Sequence, residues 1–286
     1  MNRRNKIFFA GILLLFSGLV VIRHFVPRPV DWNMSFNGNR RSPYACSVTR
    51  EMLPALFPGK EITVNTASLF ITLPRDTAEN KNLIIISDNL NADEYDIYSL
   101  LDFVARGNTV FISTLGFPEK LCDTLNLETR IPFADTSFFK TVKESLRLSF
   151  TGTLTDSVFH FSKKMPENRF MSYDTLRSVA LGSDRSGNTN FIMTSFGKGR
   201  IYLHCQPLAF TNFHLLYGDH RYACTALSHL PVINTIWDQY YKPDNYYDLS
   251  PVRYILSQPA LRSAYYLLFI LLLTYMIFGA KRMQRP

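Results

Sequence analysis

An α/β sandwich built on a mainly parallel sheet, carried with two transmembrane helices, is the fold class this sequence predicts. Three observations predict it. A short apolar run, LIIIS at 83–87, is followed by an amphipathic helical stretch and a second apolar strand at 109–113. Such a strand–helix–strand unit makes a parallel pair, and an uninterrupted apolar strand fits a sheet covered on both faces. The third observation is a long apolar run near each end of the chain, at 7–22 and 264–280.

The central unit is the clearest. Asn91 or Asp93 can cap its helix, and Glu94 and Asp96 sit in the first turn, where acidic side chains suit the helix dipole. Ile97, Leu100, Leu101 and Val104 form one apolar stripe, and Gly107 ends the helix. Upstream, Ser42-Pro43 reads as a helix start, with Tyr44, Val48, Met52, Leu53 and Leu56 at helical spacing and Pro58-Gly59 as the stop. Residues 61–66 alternate as a strand does, and 117–127 and 222–230 read as helices. Residues 128–182 read as an elaboration of the sheet, with β-like pieces at 146–151 and 158–161. The strands at 190–195 and 200–204 flank Gly197-Lys198-Gly199, which reads as a hairpin turn because no helix start follows to cradle a phosphate. With helices for both faces, the pattern predicts a flavodoxin-like layered sandwich.

The run at 7–22 is uncharged and would reach about 24 Å as a helix, with Phe25 and Val26 extending it. Arg3, Arg4 and Lys6 in front of it also suit a signal peptide, but RHFVPRPVDW offers no small-residue cleavage site, so the run reads as an uncleaved anchor. The run at 264–280 is apolar all round and ends in Lys281 and Arg282. Basic residues at both outer ends place the termini in the cytoplasm and the central domain outside it, at the inner membrane. The expected organisation is therefore 1–28 as cytoplasmic end and helix, 29–250 as an extracytoplasmic α/β domain, and 251–286 as linker, second helix and short cytoplasmic end, with the lipid bilayer as a partner.

Charge excludes one class of function. The net charge is +8. Five basic residues flank the first apolar run and three follow the second, which leaves as many basic as acidic residues in between. A neutral domain lacks the electrostatic footprint of nucleic-acid binding, so no nucleic-acid partner is expected.

No catalytic constellation stands out, and no cofactor is called for. Asp88 ends the 83–87 strand and Ser113 ends the next, so the crevice between them is where an open α/β sheet would take a ligand. A capping Asp explains Asp88 as well. Cys205 follows a strand, and His204 beside it could activate a thiol, but no strand-to-helix elbow surrounds it. His220 and Cys224, four apart on a helix, are the residues nearest to a metal pair, yet no C-x-x-C or H-E-x-x-H accompanies them. Four cysteines permit two disulfides in an oxidising compartment. Trp237, Tyr240, Tyr241, Tyr246 and Tyr247 read as packing or interface aromatics.

Taken together, SPYACSVTREMLPALFPGKEI at 42–62, NLIIISDNLNADEYDIYSLLDFVARGNTVFIS at 82–113, FGKGRIYLHCQPLAFTNFHLL at 196–216, WDQYYK at 237–242 and SPVRYILSQPALRSAYYLLFILLL at 250–273 resemble a bacterial domain-of-unknown-function family numbered four-three-five-zero. The resemblance implies a flavodoxin-like domain akin to class I glutamine amidotransferases, membrane tethering, a cytoplasmic tail beyond KRMQRP, and frequent company with MoxR-type AAA ATPases and other membrane proteins. It implies no activity. The amidotransferase elbow carries a Cys, whereas the corresponding turn here reads Ser113-Thr114-Leu115-Gly116-Phe117. The expected function is a non-catalytic binding or scaffold module working with an ATPase-linked membrane complex. The rival expectation is a cell-envelope hydrolase or transferase with its site at the C-terminal ends of the strands.

Overall fold

The computed structural model describes residues 30–73, 80–130, 144–148, 157–161, 165, 168–243, 260–268 and 271. The chain divides into two compact units, Met1–Trp32 and Asn33–Pro286. Only 30–32 of the first are described, and Val30 and Trp32 are exposed. The second unit holds the α/β domain.

In chain order its elements are α1 (Ser47–Leu56), β1 (Ile62–Asn65), α2 (Leu69–Thr72), β2 (Asn82–Ile86), α3 (Glu94–Ala105), β3 (Thr109–Ser113), α4 (Glu119–Leu125) and β4 (Glu128–Arg130). Then follow β5 (Glu144–Leu148), β6 (Ser157–Phe161), β7 (Arg169–Ser172), β8 (Ser178–Asp184), β9 (Thr189–Phe196) and β10 (Gly199–His204). A 3-10 turn (Pro207–Phe210), α5 (Asn212–Tyr217), α6 (Arg221–Leu227) and β11 (Thr235–Asp238) complete the set.

Nine strands form one sheet in the order β1-β11-β2-β3-β10-β9-β8-β5-β6, and β4 and β7 pair separately. From β1 to β10 neighbours run parallel. From β10 to β6 they run antiparallel. The expectation of a mainly parallel, flavodoxin-like sandwich with two transmembrane helices is therefore corrected. The sheet is mixed, because the turn at Gly197 reverses the chain into β10 and the elaboration after β4 adds β5, β6, β8 and β9 as antiparallel strands of the same sheet. Gly197 takes φ +58, a conformation glycine adopts without a Cβ penalty. Among the described residues no helix is long and apolar enough to cross a membrane. The run at 7–22 lies outside them, as does most of 264–280, of which 264–268 are helical and exposed.

β2 and β3 are buried along their whole length because the sheet is covered on both faces. Alternation divides their side chains. Ile84, Ile86 and Phe111 join the cluster with Phe57, Phe210, Tyr222 and Trp237. Leu83, Ile85, Val110 and Ile112 join Ile97, Leu100, Phe103 and Val104 of α3. Asp93 caps α3, its carboxylate accepting the Asp96 amide at 2.8 Å. The first helix starts later than Ser42-Pro43 suggests. Residues 42–45 form a turn instead, with the Ala45 amide on the Ser42 carbonyl, and the side chain of Asn212 holds the Arg40 and Ser42 carbonyls and the Val48 amide.

Candidate functional site

The C-terminal ends of the parallel strands gather the chemistry-bearing residues. β3 and β10 are paired so that His204 lies beside Ser113. The Ser113 hydroxyl is 2.8 Å from His204 Nδ1, and His204 Nε2 is 2.7 Å from the Tyr222 hydroxyl on α6. The Gln206 amide donates to the same Nδ1 at 3.2 Å. A backbone N–H can only donate, so Nδ1 accepts and the ring proton sits on Nε2, donated to Tyr222. The imidazole is neutral: complete burial holds its pKa down to about 3.

Ser113, His204 and Tyr222 each have no exposed surface. Phe111 stacks on the imidazole at 6.2 Å, and Phe191 and Phe210 meet it edge-on at 5.3 and 5.1 Å. A serine–histidine pair that attacks a substrate needs the hydroxyl at a surface and an orienting acceptor behind the base. Here the hydroxyl has no exposed surface, and the second partner is a phenol whose own pKa is raised by burial. The arrangement satisfies three buried polar groups in a hydrophobic core.

Asp88 is half-buried, which raises its carboxyl pKa. One carboxylate oxygen accepts the Asn89 amide at 2.7 Å. Its carbonyl accepts from the Leu115 and Gly116 amides and from the Thr114 hydroxyl, and Asn89 bridges to Gly116 as a strand continuation. These bonds zip the loops after β2 and β3 together. The crevice expected between Asp88 and Ser113 is closed by the backbone itself.

Cys205 is buried on the opposite face of the sheet from His204, as strand alternation requires. Burial pushes its thiol well up, and both ring nitrogens of His204 are engaged elsewhere, so the two do not form a nucleophile–base pair. All four cysteines are free, so the possible disulfides are not formed. His220 is exposed at the start of α6 and Cys224 is half-buried one turn on. Among the described residues no group of three or more His, Cys, Asp or Glu could hold a metal ion. Trp237 and Tyr241 are buried, whereas Tyr246 and Tyr247 lie outside the described residues.

The sequence reading missed Lys242. It is fully buried. Its Nζ donates to the Ile86 carbonyl at 2.6 Å, lies 3.9 Å from an Asp238 oxygen and stands 5.2 Å from the centre of the Trp237 ring. Asp238 also accepts from the Tyr241 amide and from the Asn65 carboxamide, at 3.0 and 3.2 Å. Burial lowers the lysine pKa and raises the aspartate pKa, and each partner opposes the other's shift. The signal available was the four-residue spacing of Asp238 and Lys242 inside an aromatic run.

The fold and these strand ends define a mixed α/β domain whose polar residues at the expected ligand edge are turned into the core. The chain belongs to the family Domain of unknown function (DUF4350), whose model matches residues 39–227. No curated protein matches it. Among solved structures it is similar to a GH42 beta-galactosidase from G. stearothermophilus, at 11% identity and TM-score 0.34, over 52% of this chain and 20% of that one. It is similar to an exo-beta-1,4-mannosidase from Opitutaceae bacterium strain TAV5, at 11% identity and TM-score 0.35, over 52% and 24%. A cytoplasmic protein from Salmonella typhimurium LT2 matches at 14% identity and TM-score 0.38, over 63% and 86%. The chain thus spans a quarter or less of the two glycosidases, and scores this low carry no argument about activity.

Proposed function

We propose that the domain is a non-catalytic binding or scaffold module. The observation that supports this reading is the complete burial of Ser113, His204 and Tyr222, with Phe111, Phe191 and Phe210 packed around the imidazole. A hydrolase working from these strand ends would need Ser113 or Cys205 open to a substrate, and both are without exposed surface. A membrane complex associated with a MoxR-type ATPase, the company the family resemblance implies, is the first candidate to test.

The test joins two measurements on the full chain. Photo-crosslinkers placed at the exposed positions Tyr95, Leu176 and Tyr217 should give a discrete product with a protein partner in cells. Iodoacetamide should leave Cys205 unmodified until the protein is unfolded, and a fluorophosphonate should leave Ser113 unmodified throughout, because it reacts only with an activated serine. Stoichiometric labelling of either residue in the folded protein, with no crosslinked partner, would overturn the reading.

A further inference from the structure

Among the described residues, no strand pairs with β1 on the side away from β11. β11 engages that strand through the Thr235 and Gln239 amides, which donate to the Glu61 and Asn65 carbonyls. In a parallel ladder the residues facing a given neighbour alternate, so the N–H and C=O of Ile62 and Val64 point away from β11. None of these four groups has a partner among the described residues. The strand also lacks the devices that usually blunt an edge: Ile-Thr-Val-Asn contains no proline, no charge and no bulge. Val64 is 42% exposed.

A depression of about 530 Å³ runs between this edge and α1, lined by Ile62, Val64, Pro54, Arg41, Arg50 and Glu51 among others. Arg41 is exposed. Arg50 is held in place, its guanidinium donating to the Gly38 carbonyl and to the Asn39 side chain. Two guanidinium groups against one carboxylate make the groove positive. A second copy of this chain would bring the same two arginines against it, so like charges oppose self-pairing.

We propose that the β1 edge takes an extended segment of a partner protein by strand addition, with an acidic side chain of that segment seated on Arg41 and Arg50. Main-chain hydrogen bonds to Ile62 and Val64 supply affinity, and the groove selects the side chains. Arg50, already fixed by Gly38 and Asn39, presents its charge at reduced entropic cost. The proposal rests on the binding-module reading and names the chemistry of its partner.

The test pans a random twelve-residue peptide display library on the full chain, then measures binding of the enriched peptide as a synthetic compound. Enriched sequences should alternate β-branched residues with polar ones and carry Asp or Glu. Val64→Pro removes one outward N–H at an edge position that tolerates proline and should weaken binding roughly tenfold. Arg41→Glu should weaken it by a similar factor. Circular dichroism verifies the fold of both variants, and on the wild-type chain the peptide should slow hydrogen exchange at the Ile62 and Val64 amides. Failure to enrich any sequence, equal binding by Val64→Pro, or a peptide-free dimer that Val64→Pro abolishes would each overturn the proposal. A cellular crosslinked partner kept by Val64→Pro would leave the binding-module reading standing and remove only the edge assignment.

Discussion

Lys242 Nζ donates a 2.6 Å hydrogen bond to the carbonyl of Ile86, tying the segment after β11 to the end of β2. The ammonium group has no exposure, and its charge is balanced by Asp238 and the face of Trp237. Truncating one member of such a pair strands the other in the core. Lys242→Met should therefore destabilise the domain by about 3 kcal/mol. Lys242→Met with Asp238→Asn should cost less than the sum of the single changes, as urea unfolding of the four proteins would reveal.

His204 makes stability fall with acid. Its folded pKa of about 3 lies below the ordinary value of 6.5. Between these values the unfolded chain binds the extra proton and the folded chain does not, so unfolding is favoured as pH drops. The stability held above pH 6.5 should decline by roughly 1.4 kcal/mol per unit below it, levelling near pH 3. Urea midpoints measured from pH 7.5 to 4.5 check the slope. His204→Gln should flatten that slope even as it lowers the overall stability.

The two partners of His204 should differ in their worth. Tyr222→Phe removes the acceptor of the Nε2 proton and leaves a buried donor unpaired, a loss of about 2 kcal/mol. Ser113→Ala leaves Nδ1 still bonded to the Gln206 amide and should cost about 1 kcal/mol. The ordering in thermal unfolding is the readout, and the reverse order would contradict the assigned tautomer.

Gly199→Ala should be severe. A Cβ there would strike the carbonyl oxygens of Asn108 and Val104, both backbone atoms that cannot swing aside. Gly187→Ala is the control: its φ is +82 but nothing lies within 4 Å, so only the backbone penalty of about 1 kcal/mol applies. A loss at Gly199 no greater than that at Gly187 would show that the β10 start and the end of α3 are packed less closely than described.

Local signals carried the centre of the fold. The Asp93 cap, the stripe on α3 and the uninterrupted apolar strands each act over a few residues, so β2, α3, β3 and the turn at Gly197 were legible. Long-range contacts decided the rest. Ser42-Pro43 starts no helix because Asn212, 170 residues away, takes the Ser42 carbonyl. β11 is four residues long and sits among aromatics that read equally as interface packing, so its place inside the sheet left no periodic trace. The candidate site was legible as a set of residues and misleading as chemistry. Asp88, Ser113 and His204 do reach the strand ends, but which way each side chain faces, and whether rings of Phe111 and Phe191 cover it, depends on strands brought together from distant parts of the chain.

Among the described residues, β11 is the last strand of the sheet to be made, yet it lies between the first two, β1 and β2. Asn65 and its partner Asp238 are 173 residues apart in the chain. Until residues 235–238 are made, β1 and β2 lack the strand that joins them in the finished sheet. Closing so distant a loop is slow, and unpaired strands are prone to the wrong neighbour in the interval. The sheet thus closes only after Thr235–Asp238 is made, and a chain that stops short of Thr235 lacks the strand that joins β1 to β2.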